Sequence, residues 1–146
     1  MIYLGSDHRG FALKVKLKEK LTEWGYDHED VGPFEYNKDD DYPDFAKAVS
    51  EKVTADSVSR GILVCGSGVG VCITANKIKG VRAGTMASPE QTKASVSDED
   101  TNVLCLSADY SGEDKNIEIA KAFLDSKFSG EERHVRRVNK IKELEK

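Results

Sequence analysis

No stretch of this 146-residue chain is apolar for anything like the roughly 20 residues that a membrane-spanning helix needs. No transmembrane helix and no membrane partner are therefore expected. The chain opens directly on Met1-Ile2-Tyr3-Leu4 and lacks the basic segment and long apolar core of a signal peptide. Cysteine is scarce. Cys65, Cys72 and Cys105 are odd in number and widely spaced, and they form neither a C-x-x-C pair nor a zinc-ligand pattern. A reduced, cytoplasmic setting is the economical expectation. There is no large excess of charge of one sign: 22 Lys and Arg against 26 Asp and Glu leave a net charge of −4. That is too mild for the electrostatic footprint of a nucleic-acid partner. Internal repeats, low-complexity tracts and linkers are also missing.

What is present fits one folded domain. Hydrophobic residues at 38% and charged residues at 33% argue against wholesale disorder, and the length allows a sizeable single core. Apolar runs alternate with helical patterns. Residues 2–5 read as a first strand, and 11–24 carry Leu13, Val15, Leu17, Leu21 and Trp24 at near-helical spacing. Gly25 is the expected stop, with a second strand over 26–31. A polar loop follows and ends in Asp39-Asp40-Asp41, a solvated run with room for one residue turned inward. Pro43 then opens a helix reaching about residue 54. Further strands are expected over 61–65, 81–86 and 102–106, with helices after each, the first through residues 71–76. Ser88-Pro89-Glu90 has the form of an N-cap followed by a first-turn proline. Residues 131–146 carry Val135, Val138, Ile141 and Leu144 about three apart, the stripe of an amphipathic helix suited to docking on a partner. The alternation predicts an α/β fold, a three-layer sandwich around a five-stranded parallel sheet with a C-terminal helix. Ligands in such sheets bind beyond the carboxyl ends of the strands. Asp7-His8, Cys65 to Gly70, residues 86–88 and residues 107–110 should share that rim.

The run Gly61-Ile62-Leu63-Val64-Cys65-Gly66-Ser67-Gly68-Val69-Gly70 stands out. A buried strand delivers a thiol to its tip, then enters a glycine-rich loop whose amides can surround an anion. The positive end of a following helix favours the thiolate. Cys65 alone reads equally well as an inert core residue. Ser67 reads as a turn residue or as a hydroxyl donor to an oxyanion. The loop lacks the Lys and Ser/Thr of a P-loop and the G-x-G-x-x-G spacing of a dinucleotide site. Cys72 and Cys105 sit in apolar patterns and read as core. Asp7 is either a helix cap or a ligand contact, and His8 is better explained by a ligand. Arg133, His134, Arg136 and Arg137 form a basic cluster, either a surface face or a fork for phosphate.

In order along the chain, Gly5-Ser6-Asp7-His8-Arg9-Gly10-Phe11, Asp41-Tyr42-Pro43-Asp44-Phe45-Ala46, Cys65 to Gly70, Ala75-Asn76-Lys77, Val81-Arg82-Ala83, Thr101-Asn102-Val103-Leu104 and Arg133 to Arg137 resemble the ribose-5-phosphate isomerase B / galactose-6-phosphate isomerase family. The resemblance implies a Rossmann-like fold and a homodimer, in some members paired into a tetramer, with active sites at the subunit interface. It implies aldose–ketose isomerisation of a sugar phosphate through a cis-enediolate, without metal or cofactor. Ribose 5-phosphate is the family's usual substrate. A four- or six-carbon sugar phosphate, or a non-catalytic binding role on the same fold, are the alternatives.

Carried over by residue, Cys65 matches the base that moves a proton between C2 and C1. Ser67 and the backbone of Gly66, Gly68, Val69 and Gly70 match the enediolate hole. Asp7 and His8 match sugar and phosphate contacts, and Arg133 and Arg137 match phosphate ligands, reached from the same or the neighbouring subunit. Two positions depart from the family pattern. Asp98-Glu99 replace a His-Asn pair whose histidine protonates the ring oxygen, and an ionised aspartate donates poorly there. Asp109 replaces a phosphate-binding arginine, and a carboxylate there opposes a dianion.

Overall fold

The computed structural model describes residues 1–145. The elements run β1 (Ile2–Ser6), α1 (Phe11–Trp24), β2 (His28–Gly32), α2 (Tyr42–Val53), β3 (Arg60–Cys65), α3 (Val69–Ala75), β4 (Ala83–Thr85), α4 (Pro89–Glu99), β5 (Val103–Ser107), α5 (Glu113–Asp125) and α6 (Glu132–Glu143). The five strands form one all-parallel sheet in the order β2-β1-β3-β5-β4. Side chains of the central strands alternate between its two faces, as a pleated strand requires. Ile62, Val64, Leu104 and Leu106 enter one core with Leu13, Leu17, Val96 and Phe123 of α1, α4 and α5. Leu63, Cys65, Val103 and Cys105 enter the other with Val49, Val53 and Val71 of α2 and α3. Both faces of β3 and β5 are therefore covered, and their residues from Gly61 to Cys65 and from Val103 to Ser107 are all buried. That burial explains their unbroken apolar runs.

Several element boundaries differ from the sequence reading by a few residues, and at the starts of β2 and β4 a backbone amide is taken by something other than the ladder. β2 starts at His28 rather than residue 26, because Gly25 adopts a left-handed φ of 80° and the Tyr26 amide donates back to the Leu21 carbonyl at 2.9 Å, closing α1. β4 starts at Ala83 rather than residue 81, because the Arg82 amide donates to the Asn102 side chain at 2.7 Å. The last helix spans Glu132–Glu143, with Leu144 as its cap; the final expected position, Lys146, lies outside the described residues. The Ser88 cap is as read, its hydroxyl accepting from the Gln91 amide at 3.1 Å.

α6 lies against α4, burying His134 and Val138 and leaving Val135, Ile141 and Leu144 exposed. No described helix is long and apolar enough to cross a membrane.

Candidate active site

β1 and β3 are neighbours, but the chain leaves them toward opposite edges of the sheet, to β2 after β1 and to β4 after β3. Their following loops diverge and open a crevice at the carboxyl ends of the strands. A pocket of about 390 Å³ lies there, walled by Asp7 and Arg9 from the first loop, Cys65, Gly66, Ser67 and Gly70 from the second, and Tyr42 and Tyr110. Other hollows lie elsewhere. One of about 460 Å³ is lined by Arg60, Arg82 and Asp100. Its guanidiniums are already occupied: Arg60 by carbonyls at the end of α5, Arg82 by Asp100.

The glycine loop folds back on the thiol. Cys65 is 4% exposed, and its sulfur accepts the Gly68 amide at 3.2 Å. An N–H aimed at sulfur is the electrostatic arrangement that a thiolate requires. Gly68 makes this possible by adopting a φ of 75°, and a Cβ there would lie 2.9 Å from the Leu106 carbonyl carbon. Thr85 ties the loop down from β4, its hydroxyl donating to the Gly68 carbonyl at 2.6 Å. The Ser67 hydroxyl is exposed and accepts the Val69 amide at 3.1 Å. Ser67 is thus a turn residue whose own O–H remains available to a ligand. Tyr42 stacks over Gly70, where a Cβ would come within 2.6 Å of its ring.

Asp7 is buried and organises the first loop: its Oδ1 accepts the amides of Arg9 and Gly10 at 2.9 and 3.1 Å. That is a local turn rather than a cap of α1, whose N-cap is Gly10. His8 beside it is fixed from outside the loop. Asp40 Oδ1 accepts the His8 amide at 2.9 Å and meets the ring Nδ1 at 2.8 Å. Asp40 is the member of the acidic run that turns inward, with a side chain only 6% exposed. The same loop is pinned by Lys14. Its ammonium, wholly buried, donates to Asp30 at 2.7 Å and to the Pro33 carbonyl at 2.5 Å. Burial pushes the Lys14 ammonium down despite Asp30. Burial alone would raise Asp30, but the hydrogen bonds from Lys14, Lys18 and the Gly32 amide more than offset it and hold the carboxyl below its ordinary range.

Asp109 forms an ion pair with Arg9 directly above Gly66. The remaining residues singled out from sequence do not join this pocket within one chain. Asp98 stands near the end of α4 beside His134, with 3.6 Å between Oδ1 and Nε2. Glu99 lines a different hollow with Asn76 and Ile141. Arg133 and Arg137 are on α6, Arg133 paired with Glu131 at 2.7 Å. Behind the loop, Cys105 is fully buried while Cys72 is partly open. The Cys105 thiol donates to Cys72 and, with help from Thr85 and against burial, lowers the Cys72 thiol to about 6. Burial pushes Cys105 well up. Sequence reasoning gave no individual role to Arg9 or Tyr42, placed Tyr110 only within the rim segment 107–110, and left open which of the three aspartates turns inward. Arg9 comes from the β1–α1 turn, Asp40 and Tyr42 from the segment that opens α2, and Tyr110 from the turn after β5.

The model of the ribose/galactose isomerase family matches residues 2–141. The chain is 42% identical to ribose-5-phosphate isomerase B from Mycoplasma genitalium, whose crystal structure holds ribulose 5-phosphate; the TM-score is 0.94 over 99% of this chain and 95% of that one. It is 38% identical to the type B ribose 5-phosphate isomerase from Trypanosoma cruzi, with a TM-score of 0.93 over 98% of this chain and 96% of that one. It is 32% identical over 145 residues to ribose-5-phosphate isomerase B of Mycobacterium tuberculosis, covering 99% of this chain and 90% of the relative. With the thiol loop at its strand tip and a match from end to end in sequence and fold, the chain belongs to the ribose/galactose isomerase family.

Proposed function

We propose that the protein interconverts ribose 5-phosphate and ribulose 5-phosphate, with Cys65 as the base. The observation that carries this reading is the Cys65 sulfur, held by the Gly68 amide at 3.2 Å on the floor of an open rim pocket. The Cys65 thiolate takes the proton from C2 of the open-chain aldose, and the electron pair moves through C1 onto the carbonyl oxygen. The resulting enediolate carries its charge beside the Ser67 hydroxyl and the glycine-loop backbone of Gly66, Gly68, Val69 and Gly70, preorganised donors that need no rearrangement as charge develops. Cys65 returns its proton to C1, and the hydroxyl proton passes from O2 to O1, which gives the ketose. Asp7 faces the sugar from the first loop, while His8, outside the pocket lining and held by Asp40, is proposed to meet the ligand from the pocket's edge.

The working unit is proposed to be a homodimer, with α6 at the interface. Val69, Ile73 and Val135 are exposed apolar residues, and Val69 and Ile73 border the pocket. A second copy docked there brings Arg133 and Arg137 as phosphate ligands and Asp98 and Glu99 to the ring-opening position. Three unpaired thiols fit a reducing cytoplasm.

The test is direct. Purified protein should convert ribose 5-phosphate to ribulose 5-phosphate, and Cys65→Ala should lower kcat by about 10²–10⁴-fold. Full activity in that variant would remove Cys65 as the base.

A further inference from the structure

Asp109 places a carboxylate at the mouth of a pocket proposed to receive a phosphorylated sugar. Left bare, it would repel the substrate. It is not bare: the Arg9 guanidinium pairs with it across the glycine loop, one residue from the β1–α1 turn and the other from the β5–α5 turn. The pair lies directly over the residue after the thiol. A Cβ on Gly66 would stand 2.8 Å from Asp109 Oδ2 and 2.9 Å from Arg9 Nε. Both backbones are anchored, the Arg9 amide to Asp7 Oδ1 at 2.9 Å and the Asp109 amide to the Gly66 carbonyl at 3.0 Å. Asp109 engages Nη2, and the rest of the guanidinium has no acceptor among the described residues while it walls the Cys65 pocket.

We propose that Arg9 is a substrate-binding residue, held over the thiol loop by Asp109 and presenting its remaining N–H donors to an anionic oxygen of the sugar phosphate. The inference rests on the reading of this pocket as a sugar-phosphate isomerase site. A guanidinium is planar and carries five donors, so one edge can hold a carboxylate while another meets a phosphate oxygen. The Arg9 side chain is 59% exposed, and an ion pair that open adds little to stability. Its placement matters to what enters the pocket. Asp109 acts through Arg9, fixing its direction while its own charge is cancelled.

Steady-state kinetics on ribose 5-phosphate, with thermal melts, test this in Arg9→Ala, Arg9→Lys and Arg9→Ala/Asp109→Asn. Arg9→Ala should raise KM about ten-fold, the worth of one charge-assisted contact, with kcat within about three-fold. Arg9→Lys should recover part of the loss. The double variant should recover part as well, because the uncovered carboxylate is gone. A wild-type KM in a normally melting Arg9→Ala protein overturns the contact, and equal KM in the single and double variants overturns the role given to Asp109. Calorimetric titration with inorganic phosphate separates this inference from the functional reading. If the wild type leaves ribose 5-phosphate unchanged, that reading falls, while phosphate bound by wild type and lost in Arg9→Ala still supports the anion contact. Equal phosphate affinity in the two proteins overturns it.

Discussion

Replacing Gly68 with alanine tests whether backbone conformation and space at one residue hold the thiol loop together. Two costs add. Gly68 has a φ of 75°, and a left-handed conformation costs an L-residue about 1–2 kcal/mol. The new Cβ would also lie 2.8 Å from Thr85 Cγ2, 2.9 Å from the Leu106 carbonyl carbon and 3.0 Å from the Ser107 amide nitrogen. Two of those neighbours are backbone of a buried central strand and cannot step aside, so overpacking adds about 1–3 kcal/mol. The sum, about 2–5 kcal/mol, corresponds to a fall in Tm of about 4–20 °C for a domain of this size. Gly25 is the internal control. Its φ is 80°, but nothing lies within 4 Å of its Cβ position. Gly25→Ala should therefore show the conformational cost alone and keep full activity. Gly68→Ala should also lose about 10²-fold or more in kcat/KM, because the amide that meets the Cys65 sulfur moves with the loop. Differential scanning calorimetry and isomerase assays on both variants decide the matter. A Gly68→Ala protein that melts with Gly25→Ala, or that isomerises at the wild-type rate, refutes the reasoning.

The buried Lys14–Asp30 pair should respond asymmetrically. Asp30→Ala leaves a wholly buried ammonium without its carboxylate and should cost about 3–5 kcal/mol in urea unfolding. Lys14→Met should cost less than half of that, because Lys18 still meets Asp30 at 2.9 Å; equal losses would contradict the pairing. Burial lowers the Lys14 ammonium below 10.5, so the unfolded chain holds that proton more tightly. Wild-type stability should rise with pH between the lowered value and 10.5, a rise absent from Lys14→Met when the two unfolding series are compared. The carboxyl of Asp30, held below 3.8, contributes stability above that value and loses it as pH falls through the folded pKa. Finally, with its thiol lowered to about 6, Cys72 should alkylate with iodoacetamide down to about that pH. Cys105, buried and raised, should stay unmodified; peptide mapping that finds Cys105 labelled first would overturn the assignment of charge within that pair.

Much of the site was readable one segment at a time. Cys65 follows an unbroken apolar run because β3 is covered on both faces, and the glycines follow because the chain must turn sharply and approach β5 closely at Gly68. Ser88-Pro89 announced the start of α4, since an N-cap and a first-turn proline are local signals. The start of β4 was not readable, because a side chain 20 residues away, Asn102, takes the Arg82 amide. Nor was the choice of Asp40 from three consecutive aspartates, which depends on His8 lying opposite it, 32 residues away in the chain.

By itself the amino-acid sequence determined the α/β alternation, the thiol at a strand tip and the ordered motifs that mark the family. All of these rest on periodicity and on residues adjacent in the chain. The tertiary structure alone decided the sheet order, and with it which loops meet at the crevice. It turned Asp7 into the organiser of its own turn, set Asp40 behind His8 and joined Arg9 to Asp109 over Gly66. It also kept Asp98, Glu99, Arg133 and Arg137 on α4 and α6, outside the Cys65 pocket of their own chain. Contacts between distant loops leave no periodic trace in a sequence, because each partner is chosen by where the folded sheet brings the other.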